Sequence, residues 1–433
     1  MSMIKPFLKS IVAAILQWEA RQVLRKYKPY VVAVTGSVGK TSAKDAIYTV
    51  LSESTFVRKS EKSFNSELGV PLTILGCPNA WNSAIGWIRN IIDGFVLFIF
   101  PHPYPRTLVL EVGADRPGDI QKVAGWLSPD VVVITRIPEV PVHVEFFHSP
   151  EEVVEEKSYL PRALKPNGFL ILNADDGRSL RFRSAASTPH VITYGFINSA
   201  TVRAVHERVT LDRGKPTGMS FHIDYDGKSI PITLAGVLGK QPIYAVLSAI
   251  ATGIACGLSL VDMQQHLALH KGPPGRMRIL EGINDSVLID DSYNSSPVAA
   301  EEALRLLASL KVKGKRIAVL GDMLELGRYS VDEHKQIGTI AGGAVDKLIV
   351  VGPRSNDIAG AAHKAGLGKR YINSCSTAEE AGEVLKSELE EGDVVLIKGS
   401  QGMRLERATE RLLKDPQKAR ELLPRQDNAW RSR

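Results

Sequence analysis

The hydrophobic positions of this chain fall into short unbroken runs, separated by longer segments in which they recur every three or four residues. VVAVTG (31–36), LVLEVG (108–113), VVVIT (131–135) and FLILN (169–173) read as strands buried on both faces, as in a parallel sheet. Helix-length segments lie between them, the first being SVGKTSAKDAIYTVL. That alternation predicts an α/β layer fold. Residues 201–236 change to alternating polar and apolar positions and predict a small antiparallel insert, after which 242–258 returns to helix. KGPPGR (271–276) cannot continue either kind of element and reads as a linker. Beyond it a second α/β series appears in SVLIDD, RIAVLGD, KLIVVG and DVVLIKGS. The expected units are an amphipathic helix over 1–29, a central domain over 30–275 and a C-terminal domain over 276–433. The tail after Leu423 is expected to fray.

In the first segment Ile4, Phe7, Leu8, Ile11, Val12 and Ile15 follow helical spacing. That stripe either packs on the chain itself or meets a membrane surface through residues 1–28, where Lys5, Lys9, Arg21, Arg25 and Lys26 would face anionic lipid. Its continuous apolar stretch, Ile11 to Leu16, is too short for a signal peptide, and no small-residue cleavage site follows. A second apolar stretch, 86–100, carries Arg89 and Asp93 and is too short to span a bilayer.

Composition narrows the function classes. The 433 residues amount to about three domains at ~150 residues each, too long for a single small binding module. The 44% hydrophobic and 23% charged residues exclude global disorder and a multi-span membrane protein. A net charge of +7 suits anionic small molecules or a membrane surface as well as nucleic acid, and the lack of a lysine- or arginine-rich run argues against nucleic acid. Cys77, Cys256 and Cys375 are too few and scattered for a disulfide framework or zinc cluster, which fits a reducing cytoplasm.

The strongest chemical signal is Gly36-Ser37-Val38-Gly39-Lys40-Thr41-Ser42, between a buried strand and a helix. In that setting two glycines let backbone amides turn inward on phosphates, and the helix N-terminus adds positive potential. Lys40 would hold the β- and γ-phosphates and the Thr41 hydroxyl would bind Mg²⁺. The full spacing would put a further glycine at Val34, so the loop is a variant. Glu111, ending a strand in LVLEVGAD, would reach a metal on Thr41. His143 is either surface decoration or a further ligand, and Lys157 either an ion-pair partner on a glutamate-rich helix or a functional lysine.

TGSVGKTS, FNSELGVPLTIL, LVLEVGADRPGDI, HVEFFHSPEEVVEEKSYL, LNADD, PPGRMRILEG, IDDSYNSSP, VLGDMLELG and VLIKGSQGMRLE occur in that order over roughly residues 30–412. In these motifs the chain resembles the Mur ligases, ATP-dependent enzymes that form amide bonds. The resemblance is strongest to the branch that adds D-Ala-D-Ala to a UDP-N-acetylmuramoyl-tripeptide, a peptidoglycan precursor. It implies a phosphate-loop ATPase domain with a parallel sheet, followed by a Rossmann-like domain that closes over it. It also implies an acyl phosphate formed from ATP and a substrate carboxylate, then attacked by the dipeptide's amine. By resemblance Thr41 and Glu111 are Mg²⁺ ligands, His143 serves a second metal, and Lys157 is carbamylated, becoming an anion beside a cation. Arg276 contacts nucleotide phosphate, while Asp291, Tyr293 and Asn294 hold nucleotide and the C-terminal domain. Asp322, Glu325 and His334 face the incoming dipeptide, with Lys398 and Ser400 nearby. Lys40, His143, Lys157 and Arg276 make up the implied catalytic set.

Three features depart from that pattern. Only 29 residues precede the first strand, where these ligases usually carry a UDP-binding domain of ~100 residues, the size of a small independent domain. The adenine-side motif reads GKQPIYAVLSA (239–249), where Lys240, Gln241 and Tyr244 stand in; Gln241 would hydrogen-bond a base and Tyr244 stack on it. Arg136 stands where an asparagine is usual. Two alternatives stay open: a related ligase for another carboxylate and amine, in which Arg354 and residues 322–334 meet a different amine, and a regulatory ATPase without synthesis.

Overall fold

The computed structural model describes residues 4–61, 64–81, 83–427 and 430, with backbone only for 4–8. Helix α1 (Ile4–Tyr27) leads into β1 (Tyr30–Thr35), α2 (Lys40–Ser52), β2 (Val57–Lys59), α3 (Gly69–Leu75), α4 (Ala84–Ile99) and β3 (Thr107–Glu111). Next come α5 (Asp119–Ala124), β4 (Val131–Ile134), α6 (Pro150–Arg162), β5 (Phe169–Asn173), α7 (Gly177–Arg181) and β6 (Val191–Gly195). A β meander, β7 (Val202–Asp212), β8 (Lys215–Tyr225) and β9 (Lys228–Ala235), precedes α8 (Lys240–Ala255) and α9 (Leu260–Leu267).

These strands form one sheet in the order β2-β3-β1-β4-β5-β6-β7-β8-β9. It is parallel from β2 to β7 and antiparallel from β7 to β9. The alternating segment expected as an insert therefore extends the main sheet: Tyr194 and Gly195 pair in parallel with Val202 and Arg203. β1 lies where successive connections leave to opposite sides, towards β3 and towards β4. The crevice beyond the C-terminal end of such a strand is the customary ligand site of an open α/β sheet.

The second sheet holds β10 (Arg278–Glu281), β11 (Val287–Asp291), β12 (Arg316–Gly321), β13 (Lys347–Val351), β14 (Ile372–Cys375) and β15 (Val394–Lys398). Their order is β10-β11-β15-β12-β13-β14, all parallel except β10. Helices α10 (Pro297–Ser309), α11 (Ser330–Ala344), α12 (Asn356–Lys364), α13 (Ala378–Lys386), α14 (Glu406–Leu412) and α15 (Ala419–Leu422) complete it. The break between the sheets falls at the glycine- and proline-rich stretch between α9 and β10.

Two terminal expectations change. On α1 the buried side chains are Ala13, Leu16, Glu19, Ala20 and Val23, with Val12 partly buried against the core, whereas Ile11 is exposed. The side chains of Ile4, Lys5, Phe7 and Leu8 lie outside the described residues. The tail does not fray at Leu423: the Arg425 guanidinium is buried, donating to Ser292 O at 2.6 Å and pairing with Glu406 at 2.9 Å. Four polar partners outweigh the loss of chain entropy that a free terminus would keep. Residues 428, 429 and 431–433 of that tail lie outside the described residues.

Candidate active site

The loop 36–39 turns because its two glycines take backbone angles closed to other residues. Gly36 has φ +138°, and a Cβ there would sit 2.0 Å from the Thr135 hydroxyl; Gly39, at φ +89°, opens α2. The Ser37 and Val38 amides both donate to Arg136 O, pinning the loop to the end of β4. Lys40 Nζ donates to Gly36 O at 3.0 Å. Burial, reinforced by Arg276, holds the Lys40 ammonium below its ordinary pKa, against the pull of Glu111 and Asp115.

Below the loop, Thr41 Oγ1 donates to Glu111 Oε2 at 3.0 Å and Asn65 Nδ2 donates to Glu111 Oε1 at 3.2 Å. Lys44 is buried with its Nζ 3.8 Å from the same carboxylate. Hydroxyl and carboxylate oxygens in contact at a helix N-terminus are the hard donors that Mg²⁺ prefers. Among the described residues no group of three or more histidine, cysteine, aspartate or glutamate side chains converges as a metal cluster. His143 lines the same cavity as Thr41 and Glu111 but meets carboxylates of its own. At the strained φ of 72°, its Nδ1 lies 2.5 Å from Glu325 Oε2 and its Nε2 3.7 Å from Asp115. The contact with His143 holds the Glu325 carboxyl below its usual range.

Lys157 is buried on α6. Desolvation, and then the Lys40 charge, push its pKa down to about 7, although Glu156 and Asp115 pull the other way. Glu152 and Glu156 of the same helix are engaged elsewhere. Glu156 caps α5 through the amides of Gly118, Ile120 and Gln121, and Glu152 accepts from the His148 amide.

The second sheet supplies the opposite wall. Arg276 stacks over Tyr293 with its guanidinium carbon 4.4 Å from the ring centroid. Asp291 accepts from the Met277 amide at 3.2 Å and from Lys398 Nζ at 2.6 Å, and Lys398 also reaches Asn294 O. Asp291 and Lys398 therefore tie the linker to β11 and β15. Residues from the C-terminal ends of both sheets meet in one cleft. Its nucleotide-loop side is lined by Ser37, Gly39, Ser42, Gln241, Arg276 and Glu302. The adjoining cavity, about 390 Å³, is lined by Thr41, Glu111, His143, Glu325, Ser400 and Trp81.

Residues 322–334 divide. Glu325 and Ser400 face the cavity, but Asp322 and His334 are buried behind it. Asp322 accepts from the Ser355 amide at 2.7 Å; His334 Nε2 accepts from the Met323 amide while Nδ1 contacts Ser330 O at 2.6 Å. Both imidazole nitrogens are thus engaged in fixing the loop that presents Glu325. Arg354 is exposed and outside the cleft. Tyr244 donates its hydroxyl to Asp175 at 2.8 Å and meets Phe196 edge-on. Sequence reasoning overlooked Glu302, which pairs with Arg136 and accepts from Gln241 at 2.6 Å, giving Arg136 a role across the two sheets. Asn65 stood in a quoted motif without a role, and its hydrogen bond to Glu111 supplies one.

Known proteins agree with this architecture. The family model of the Mur ligase middle domain matches residues 97–253, and that of the Mur ligase glutamate ligase domain matches 275–401. A UDP-N-acetylmuramoyl-tripeptide–D-alanyl-D-alanine ligase of Mycobacterium leprae is 30% identical, over 87% of this chain and 72% of its own length. The chain belongs to the Mur ligase family. The ligase of the same name from Bacillus subtilis is 29% identical, over 93% of this chain and 79% of its own. The fold is that of the MurF ligase of Thermotoga maritima solved in complex with ADP: TM-score 0.74 at 24% identity, over 94% of this chain and 84% of the other. As a Mur ligase the chain is an enzyme with the expected α/β architecture.

Proposed function

We propose that this Mur ligase uses ATP to join D-Ala-D-Ala to the free carboxylate of a UDP-N-acetylmuramoyl-tripeptide. The observation that carries the reading is the single cleft in which the phosphate loop and the Thr41–Glu111 pair face Arg276, Glu325 and Ser400. The relatives' names supply the substrates, and their similarity runs through both walls of that cleft.

A carboxylate resists amines until one of its oxygens becomes part of a leaving group. The substrate carboxylate attacks the γ-phosphorus, the bond to the β-phosphate oxygen breaks, and ADP departs. The dipeptide amine, having lost a proton, adds to the acyl carbon; the tetrahedral adduct collapses, expelling inorganic phosphate. Charge builds on phosphoryl oxygens in the first step, and Lys40 and Arg276 offset it. Mg²⁺ held by Thr41 and Glu111 would add charge neutralisation at the β- and γ-phosphates.

Lys157 is carbamylated in this reading: its neutral amine adds to dissolved CO₂, releases a proton and becomes an anion. Its burial and the absence of a carboxylate partner among the described residues support that role. Asp291 and Asn294 steady the nucleotide side together with Gln241, and Tyr244 acts there through Asp175.

Hydroxylamine tests the acyl phosphate directly. With ATP, Mg²⁺ and the muramoyl tripeptide but no dipeptide, the enzyme should release ADP and tripeptide hydroxamate in equal amounts. Lys40→Ala should lower both by about a thousandfold. ADP formed without hydroxamate would overturn the acyl-phosphate route.

A further inference from the structure

Among the described residues the outer face of α4 is covered only at Phe95, by Trp18 of α1. Ile85, Ile88, Ile92, Phe95 and Ile99 follow three- and four-residue spacing along it, with Ile85 80% and Ile99 60% exposed. The opposite face of the helix is seated on the protein: Asn90 and Gly94 are buried, and Trp87 and Leu97 pack on the core. Helix α1 continues the patch. Trp18 is 45% exposed and touches Phe95 and Phe98 at centroid distances of 5.7 and 5.9 Å. A contiguous apolar surface of this kind on a soluble fold marks an interaction site.

Charge identifies the occupant. Arg21 and Arg25 lie three and seven residues beyond Trp18, on the same helical face, and Lys28 follows. These three, with Lys165, line an open depression beside the patch. Among the described residues no carboxylate pairs with Arg21, Arg25 or Lys28. An apolar band of isoleucine and phenylalanine, an aromatic at its margin and unpaired cations beside it is the chemistry of a helix lying at a lipid–water boundary. The stripe is bordered on α4 by one exposed ion pair, Arg89–Asp93, and on α1 by cations alone, a balance that favours an anionic surface over a protein rim of mixed hydrogen-bonding groups. No described helix is long and apolar enough to cross a membrane, so the contact is with the surface.

We propose that α1 and α4 together dock this enzyme on an anionic membrane surface, with the isoleucine stripe at the acyl boundary and Arg21, Arg25 and Lys28 on the lipid phosphates. Trp81, three residues before α4, is partly exposed and also lines the catalytic cleft. Docking therefore brings the cleft mouth close to the bilayer.

The test is flotation of the full chain with phosphatidylcholine vesicles, with and without roughly 30% phosphatidylglycerol. The wild type should float with the anionic vesicles only, and high salt should release it. Ile88→Glu/Ile92→Glu and Arg21→Glu/Arg25→Glu should each weaken binding by at least about tenfold. Both should keep the wild-type melting temperature and ATP turnover in solution, because every substituted position is exposed and outside the cleft. Failure of the wild type to float, or flotation unchanged in both variants, would overturn the proposal. So would a wild-type dimer in light scattering that Ile88→Glu/Ile92→Glu returns to monomer, since a second copy would then cover the face.

Discussion

Glu111 is the residue on which the site turns. Its two oxygens accept from Thr41 and Asn65, and Lys44 lies beside it, so a buried carboxylate is met by groups from α2 and from the loop before α3. The sequence showed Glu111 because it ends a buried strand, and Thr41 because it follows the loop lysine. It did not show Asn65, since nothing local relates residue 65 to residue 111 before β2 and β3 pair. Lys157 illustrates a different limit. Its position on a glutamate-rich helix suggested an ion pair, but helix α6 turns Glu156 towards α5 and leaves the lysine buried without it. Lys157→Ala should cut turnover by about a hundredfold or more, and millimolar short carboxylates should restore part of it by replacing the carbamate. The assay is phosphate release against acetate concentration; full activity without acetate would return Lys157 to a structural role.

At the scale of elements, the buried runs predicted β1, β3, β4, β5, β11, β12, β13 and β15, because strands covered on both faces are apolar throughout. β2 and β14 are outer strands of their sheets, and their sequences VRK and INSC are partly exposed and carry no unbroken apolar run. Where α1 crosses α4, Glu19 is buried against Gly94 with no hydrogen-bond partner for either oxygen among the described residues, and desolvation raises its pKa from 4.5 to about 7. A raised carboxyl pKa means that the folded state holds its proton more tightly than the unfolded chain. The stabilisation is complete below about pH 4.5 and is lost as the pH rises through 7. Glu19→Gln should thus raise the melting temperature at pH 8 by about a few degrees and change it little at pH 5. Melting curves at the two pH values decide it; equal shifts at both would show that Glu19 does not titrate there.

For the whole molecule, the two α/β series were legible, but the joining of the two halves was not. Arg136 had no explanation from sequence because its partner, Glu302, lies on α10 beyond the linker. Glu302 also holds Gln241, so one carboxylate links the phosphate-loop sheet, the nucleotide side and the second sheet. Removing it by Glu302→Ala forfeits a partly buried ion pair and one hydrogen bond, together about 1 kcal/mol net. Proteolysis between residues 271 and 276 should then quicken by about five- to tenfold, an effect of that energy; an unchanged digestion rate would show that the sheets are held by other contacts. The His143–Glu325 contact is a second such link, and both bring C-terminal strand ends of the two sheets to a shared cleft.

The central claim is that this cleft couples ATP cleavage to amide formation between two specific substrates. Phosphate release from ATP with Mg²⁺, measured with the muramoyl tripeptide and D-Ala-D-Ala separately and together and paired with product mass, tests it most directly. The account predicts sustained release only when both are present, with one dipeptide-extended product per phosphate. Sustained release with neither substrate, or release with both and no extended product, would contradict it.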